Sequence, residues 1–96
     1  MTVNEPPVIA TLECHRNADA VYTLRVHALG ASFGGPYEWA CTAVVRGKVA
    51  RLHGAIRAPN PTQWRAIAEV MRAHSVEFVS WERRTARGVR DVRIKL

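Results

Sequence analysis

Asn60-Pro61-Thr62-Gln63-Trp64-Arg65-Ala66-Ile67-Ala68-Glu69-Val70-Met71-Arg72 is where the rhythm of this chain changes. Asn60 is a strong N-cap, because its side chain can accept from the free amides of a first helical turn. Pro61 falls at the first helical position, where a missing N–H costs nothing. Gln63 stands three residues after the cap, as a capping box requires. Trp64, Ile67, Ala68 and Met71 then recur at i, i+3, i+4 and i+7, one face of a helix, which places Trp64 in the core. Arg65, Glu69 and Arg72 take the wet side, with Glu69 and Arg72 at ion-pair spacing. The helix should end near His74-Ser75.

On both sides of this segment the period is two, the mark of half-buried strands. Over residues 8–16, Val8, Ala10, Leu12 and Cys14 alternate with Thr11, Glu13 and His15. A short turn at Asn17-Ala18-Asp19 leads to Tyr22, Leu24, Val26 and Ala28, which alternate with Thr23, Arg25 and His27; together these read as a hairpin. The stretch 30–36 is rich in glycine but lacks phosphate-loop or dinucleotide spacing, so it reads as a wide turn. A third strand spans 37–46 with Tyr37, Trp39, Cys41, Ala43 and Val45 on one face. After Arg46-Gly47-Lys48, a fourth spans 49–56, where Ala50, Leu52, Gly54 and Ile56 alternate with Arg51 and His53. Beyond the helix, residues 76–83 carry apolar groups on both faces, which suits an internal strand. Ala86-Arg87-Gly88 turns the chain into a short terminal strand around Val92, Ile94 and Leu96.

The fold class that follows is α+β: a mostly antiparallel sheet of five to six strands, in the order β-β-β-β-α-β-β, with one helix on one face. The fourth strand, helix and fifth strand form a right-handed crossover, which makes those two strands parallel. Ninety-six residues suffice for one domain, 8–96, after a flexible segment 1–7 that ends in Pro6-Pro7. One helix cannot hide a whole sheet of this width. The uncovered part should be polar or should meet a second copy of the chain in a homodimer.

The apolar fraction is 48% and no apolar run approaches the ~20 residues of a membrane-spanning helix, which excludes disordered and helical membrane classes. Fourteen Lys and Arg against eight Asp and Glu give a net charge of +6. The excess is uneven. Residues 82–96 hold Arg83, Arg84, Arg87, Arg90, Arg93 and Lys95 against Glu82 and Asp91 only. Such a terminus attracts acidic proteins or nucleic acid, although a modest positive charge also serves solubility. Cys14 and Cys41 have no CxxC or zinc-finger spacing and sit in apolar strand patterns. With no signal-peptide pattern at the N-terminus, free buried thiols in a reducing cytoplasm are expected.

Candidate chemistry is sparse. His27 and His53 lie on strands that flank a third, about 10 Å apart, too far to share a metal. Spacing alone shows no nucleophile triad and no paired carboxylates, so no catalytic, metal or cofactor residue is assigned. The remaining candidates for contact with an anion or nucleic acid are Trp81, as a stacking platform, with Arg83, Arg84, Arg87 and Arg90.

The order of a strand meander, a helix and a strand over residues 8–84 resembles the core half of the GNAT-type N-acetyltransferase fold. That family binds the coenzyme A pyrophosphate on backbone amides between the fourth strand and the helix. Arg51-Leu52-His53-Gly54-Ala55-Ile56 matches the first half of its Arg/Gln-x-x-Gly-x-Gly/Ala pattern. It departs at Ile56, and Pro59 and Pro61 remove amide donors from the helix entrance. The phrases Leu52-His53-Gly54-Ala55-Ile56, Pro61-Thr62-Gln63-Trp64-Arg65-Ala66-Ile67 and Phe78-Val79-Ser80-Trp81-Glu82-Arg83 are also similar to small bacterial and prophage-encoded proteins. The function expected is that of a small non-catalytic binding protein whose basic C-terminal segment contacts an acidic partner. The alternatives are a minimal GNAT-like acyl-coenzyme A-binding protein and a nucleic-acid binder.

Overall fold

The computed structural model describes residues 8–15, 20–28, 37–55 and 57–96. The expected segment 1–7, the turns at 17–19 and 30–36, and Ile56 lie outside the described residues. The elements are β1 (Val8–Cys14), β2 (Val21–Ala28), β3 (Trp39–Arg46), β4 (Val49–His53), α1 (Pro61–Ala73), β5 (Phe78–Thr85) and β6 (Gly88–Lys95). They form one six-stranded sheet in sequence order with a single helix, the expected α+β arrangement. Every neighbouring pair is antiparallel except β4 and β5, which run parallel on either side of α1.

The register puts Ala10, Leu24, Val26, Trp39, Cys41, Ala43, Ala50, Leu52 and Val79 on one face, and all of them are buried. They close against Ala66, Ile67 and Met71 of α1 and against Val76, which follows it. The opposite face is polar over much of its area. There His15 Nε2 and Thr23 Oγ1 lie 2.9 Å apart, and Arg25 donates to Glu13 Oε2 at 2.7 Å. The same face also carries Ile9 and Val89, 46% and 59% exposed, so it is not uniformly polar.

Both ends of α1 are fixed by backbone chemistry. Asn60 Oδ1 accepts from the Gln63 amide at 2.8 Å, and Gln63 Oε1 accepts from the Asn60 amide at 2.9 Å, a complete capping box. Gln63 Nε2 also donates to Glu38 Oε1 at 3.0 Å. Nearby, Trp39 Nε1 donates to the Arg57 carbonyl, and the Arg57 guanidinium donates to the Glu38 carbonyl, both at 2.9 Å. This latch holds the helix entrance over β3. At the other end Ser75 has φ +62°, its amide donates to Arg72, and the Val76 amide donates to Met71, a Schellman closure.

Several boundaries and faces differ from the sequence expectation. The buried stripe of α1 is Gln63, Ala66, Ile67 and Met71, while Trp64 and Ala68 lie half-buried on its flank. The capping box and Glu38 draw Gln63 inward, and the stripe turns with it; Trp64 is therefore not in the centre of the core. No ion pair joins Glu69 to Arg72 among the described residues. β4 stops at His53 because Gly54 adopts φ +77°, which turns the chain out of the sheet. Tyr37 lies before β3 and is 56% exposed, its ring set edge-on to His27. Val76 seals the helix end instead of opening β5. The Glu77 and Phe78 amides then both donate to the Lys48 carbonyl, which starts the strand. The terminal strand is not short: β6 pairs with β5 over its whole length. Cys14 is exposed at the end of β1, whereas Cys41 is buried.

Two outcomes are expected. Ser75→Gly removes a left-handed conformation from a residue with a Cβ and should stabilise the protein by about 1 kcal/mol, read as a higher Tm. Burial pushes the Cys41 thiol up to about 12, so its thiolate is scarce at neutral pH. A thiol reagent should label one cysteine, Cys14, in the native protein and both in denaturant. Rapid native labelling of Cys41→Ala and Cys14→Ala chains alike would contradict this placement.

Candidate functional site

β5 and β6 continue where their neighbour stops. β5 pairs with β4 from Val49 and Phe78 as far as Leu52 and Trp81. Beyond that point residues 82–85 pair with 88–91 alone, and all of 82–91 are exposed. The result is a two-stranded arm that reaches about 15 Å past the parallel pair. Its turn is fixed by Thr85 Oγ1, which accepts from the Arg87 amide at 3.3 Å and donates to the Gly88 carbonyl at 3.2 Å. Gly88 adopts φ +122°, a conformation that favours glycine.

The arm sorts its charges. On the face opposite the helix, Glu82 stands directly across from Asp91. Two carboxylates so placed repel, and Arg51 of β4 resolves the repulsion. Its guanidinium lies 2.8 Å from Asp91 Oδ1 and 3.9 Å from Glu82 Oε1, with a weaker 3.4 Å contact to Ser80 Oγ. On the helix side, Arg83 stands directly across from Arg90. No carboxylate among the described residues comes within ion-pair distance of either. Arg84 projects from the Glu82 face, opposite Val89, and Arg87 lies in the turn at the tip. Both acids of the arm are thus spent on Arg51, and its four arginines face solvent.

Trp81 has a different setting from the expected platform. It is half-buried on the helix side of β5, and its ring centroid lies 5.4 Å from that of Trp64 at an interplanar angle of 43°. The two rings floor an open groove of about 500 Å³ between α1 and the β5–β6 edge. Ala68, Ile94 and Leu96 complete the apolar lining, and Arg65, Arg72 and Lys95 the remainder. The charge of Lys95 also acts on Glu77, whose carboxyl is held low by its 2.9 Å pair with Lys48. Arg65, Arg72 and Lys95 are the cations that line the groove, the first two on α1.

Of the five sequence candidates, the structure groups Trp81, Arg83 and Arg90 on one face. Arg84 is on the other face and Arg87 at the tip. Trp64, Arg65, Arg72, Ile94 and Leu96 escaped the sequence reading, because a groove between a helix flank and a distant strand leaves no local pattern. Arg51 figures among the candidates only as the start of the GNAT-like pattern; its pairing with Asp91 and Glu82 leaves no local signal.

The other chemistry weighed on the sequence has other partners. His27 Nε2 lies 3.5 Å from Thr11 Oγ1, and His74 Nδ1 lies 3.0 Å from the Val70 carbonyl. No cluster of metal-ligating side chains forms among the described residues. At the helix entrance the Gln63 and Trp64 amides donate to Asn60 itself, and Pro61 has none to give.

The uncompensated Arg83–Arg90 pair has a measurable consequence. Arg90→Glu converts a cross-strand repulsion into an attraction and should raise Tm by about 1–4 °C at low salt, less at high salt. An unchanged or lower Tm would mean that the two guanidinium groups do not oppose each other. No protein-family model, curated protein or solved structure matches this chain.

Proposed function

We propose that this is a non-catalytic binding protein whose arginine arm engages a nucleic-acid duplex. The observation that carries the reading is the arm itself, two strands wide, exposed on both faces, with arginines on both faces and at the tip. A two-stranded ribbon fits the major groove, where phosphates wall it on either side. Arg83 and Arg90 would then meet one side, Arg84 the other, and Arg87 the floor. The acidic protein partner expected from the sequence is served less well by this arm, since a single protein surface reaches only one face of a ribbon. The acyl-coenzyme A reading draws no support from the helix entrance, where the Gln63 and Trp64 amides donate to Asn60 and Pro61 has no amide to give. Stacking on Trp81 is not needed, because that ring is engaged with Trp64.

The charge segregation also supplies the energetics of the proposal. Neutralising three phosphates with Arg83, Arg84 and Arg90 releases condensed counterions, so log K should fall with log salt at a slope of about −3. Each of Arg83→Ala, Arg84→Ala and Arg90→Ala should make that slope shallower by about 1, whereas Arg87→Ala should weaken binding with little change in slope. Titration of a short DNA duplex by fluorescence anisotropy at several salt concentrations reads both quantities. Absence of binding at low salt, or tight binding indifferent to salt, would remove the proposal. An acidic peptide that displaces the duplex and binds the arm more tightly would return the reading to a protein partner.

A further inference from the structure

We infer that the groove between α1 and the β5–β6 edge is a second site, separate from the arm, that takes an acidic amphipathic helix of a partner protein. The groove is the place in the two-layer fold that α1 leaves open. Trp64, Trp81, Ile94 and Leu96 line it, and Ile94 remains 37% exposed. A helix laid beside α1 at the usual spacing of about 8–10 Å would rest on this strip.

The charge pattern selects the occupant. Going outward round α1 from the core, Trp64 and Ala68 come first, and Arg72 and Arg65 follow at the rim. Arg65 and Arg72 are two turns apart, about 10 Å along the axis. Glu69 lies further round the helix and does not line the groove. An occupant with an apolar stripe and carboxylates two turns apart on one flank would bury the first against the tryptophans and pair the second with both arginines. A second copy of this chain does not meet the requirement with its own helix, because α1 would bring Arg65 and Arg72 against the same two cations. With a duplex on the arm and a helix in the groove, the chain would tether a protein to nucleic acid.

The test uses the full chain and three synthetic peptides: a leucine-striped helix with glutamates along one flank, the same helix with lysines there, and a scrambled glutamate peptide. Binding is read from the tryptophan fluorescence. The glutamate-flanked helix should saturate the signal and bind at least about tenfold more tightly than either of the others. Arg65→Glu/Arg72→Glu should reverse the preference toward the lysine-flanked helix, while Arg84→Ala should leave peptide affinity unchanged and weaken only the duplex. Circular dichroism checks that each variant is folded, and the charge reversal lies on an exposed helix flank where folding does not depend on it. Equal affinity for the helical and scrambled peptides, no saturable signal from any of them, an unreversed preference in the double variant, or displacement of the peptide by a single-stranded oligonucleotide would each overturn the inference.

Discussion

One thirteen-residue helix is the only helical cover among the described residues for a six-stranded sheet, and that shortage organises the molecule. Such a helix is about 20 Å long, and six strands span about 24 Å between the outermost pair. The helix must therefore choose which part of the sheet to seal. Its entrance is pinned over β3 by the Asn60–Gln63 capping box and by the contacts of Gln63 and Arg57 with Glu38. Its exit is closed by the left-handed turn at Ser75, which delivers Val76 into the core. Within these limits α1 packs against the β1 side, and the β5–β6 edge is left short of cover. The groove lined by Trp64 and Trp81, and the arm beyond it, are what that choice leaves behind.

Electrostatics sharpens the same division. The two faces of the β5–β6 hairpin each place like charges directly across from one another, Glu82 with Asp91 and Arg83 with Arg90. The acidic pair is resolved within the chain by Arg51, which stands on β4 beside Ser80 and reaches both carboxylates. The basic pair has no such counterion among the described residues. A cross-strand repulsion that the fold tolerates, next to one that it relieves, leaves cationic surface for an external anion. The net excess of the last fifteen residues understates this effect, because both of their carboxylates are occupied.

The polar face on the other side of the sheet explains why the fold tolerates one helix at all. Threonines, histidines and paired charges there bond to each other across β1 and β2. On the helix side, apolar exposure lies at the β6 edge, where Ile94 is 37% exposed. A partner for that edge must bring its own apolar surface, whereas a partner for the arm need only bring negative charge. The two proposed ligand chemistries rest on these two neighbouring but distinct environments.

Local signals sufficed for the elements. The alternation from Val8 onward, the Asn60-Pro61-Thr62-Gln63 signature and the apolar character of Phe78 to Trp81 determined six strands, one helix and the parallel pair, because each signal acts within a few residues. The basic C-terminus was legible as composition for the same reason. Tertiary structure alone decided which arginines are free, because Arg51 lies forty residues from Asp91 and no local rule joins them. It alone moved Trp64 from the core to the helix flank, through a glutamine drawn inward by its cap and by Glu38. And it alone set Trp64 against Trp81, since a contact between a helix and a strand depends on how the crossover lies on the sheet, which residue periodicity does not encode.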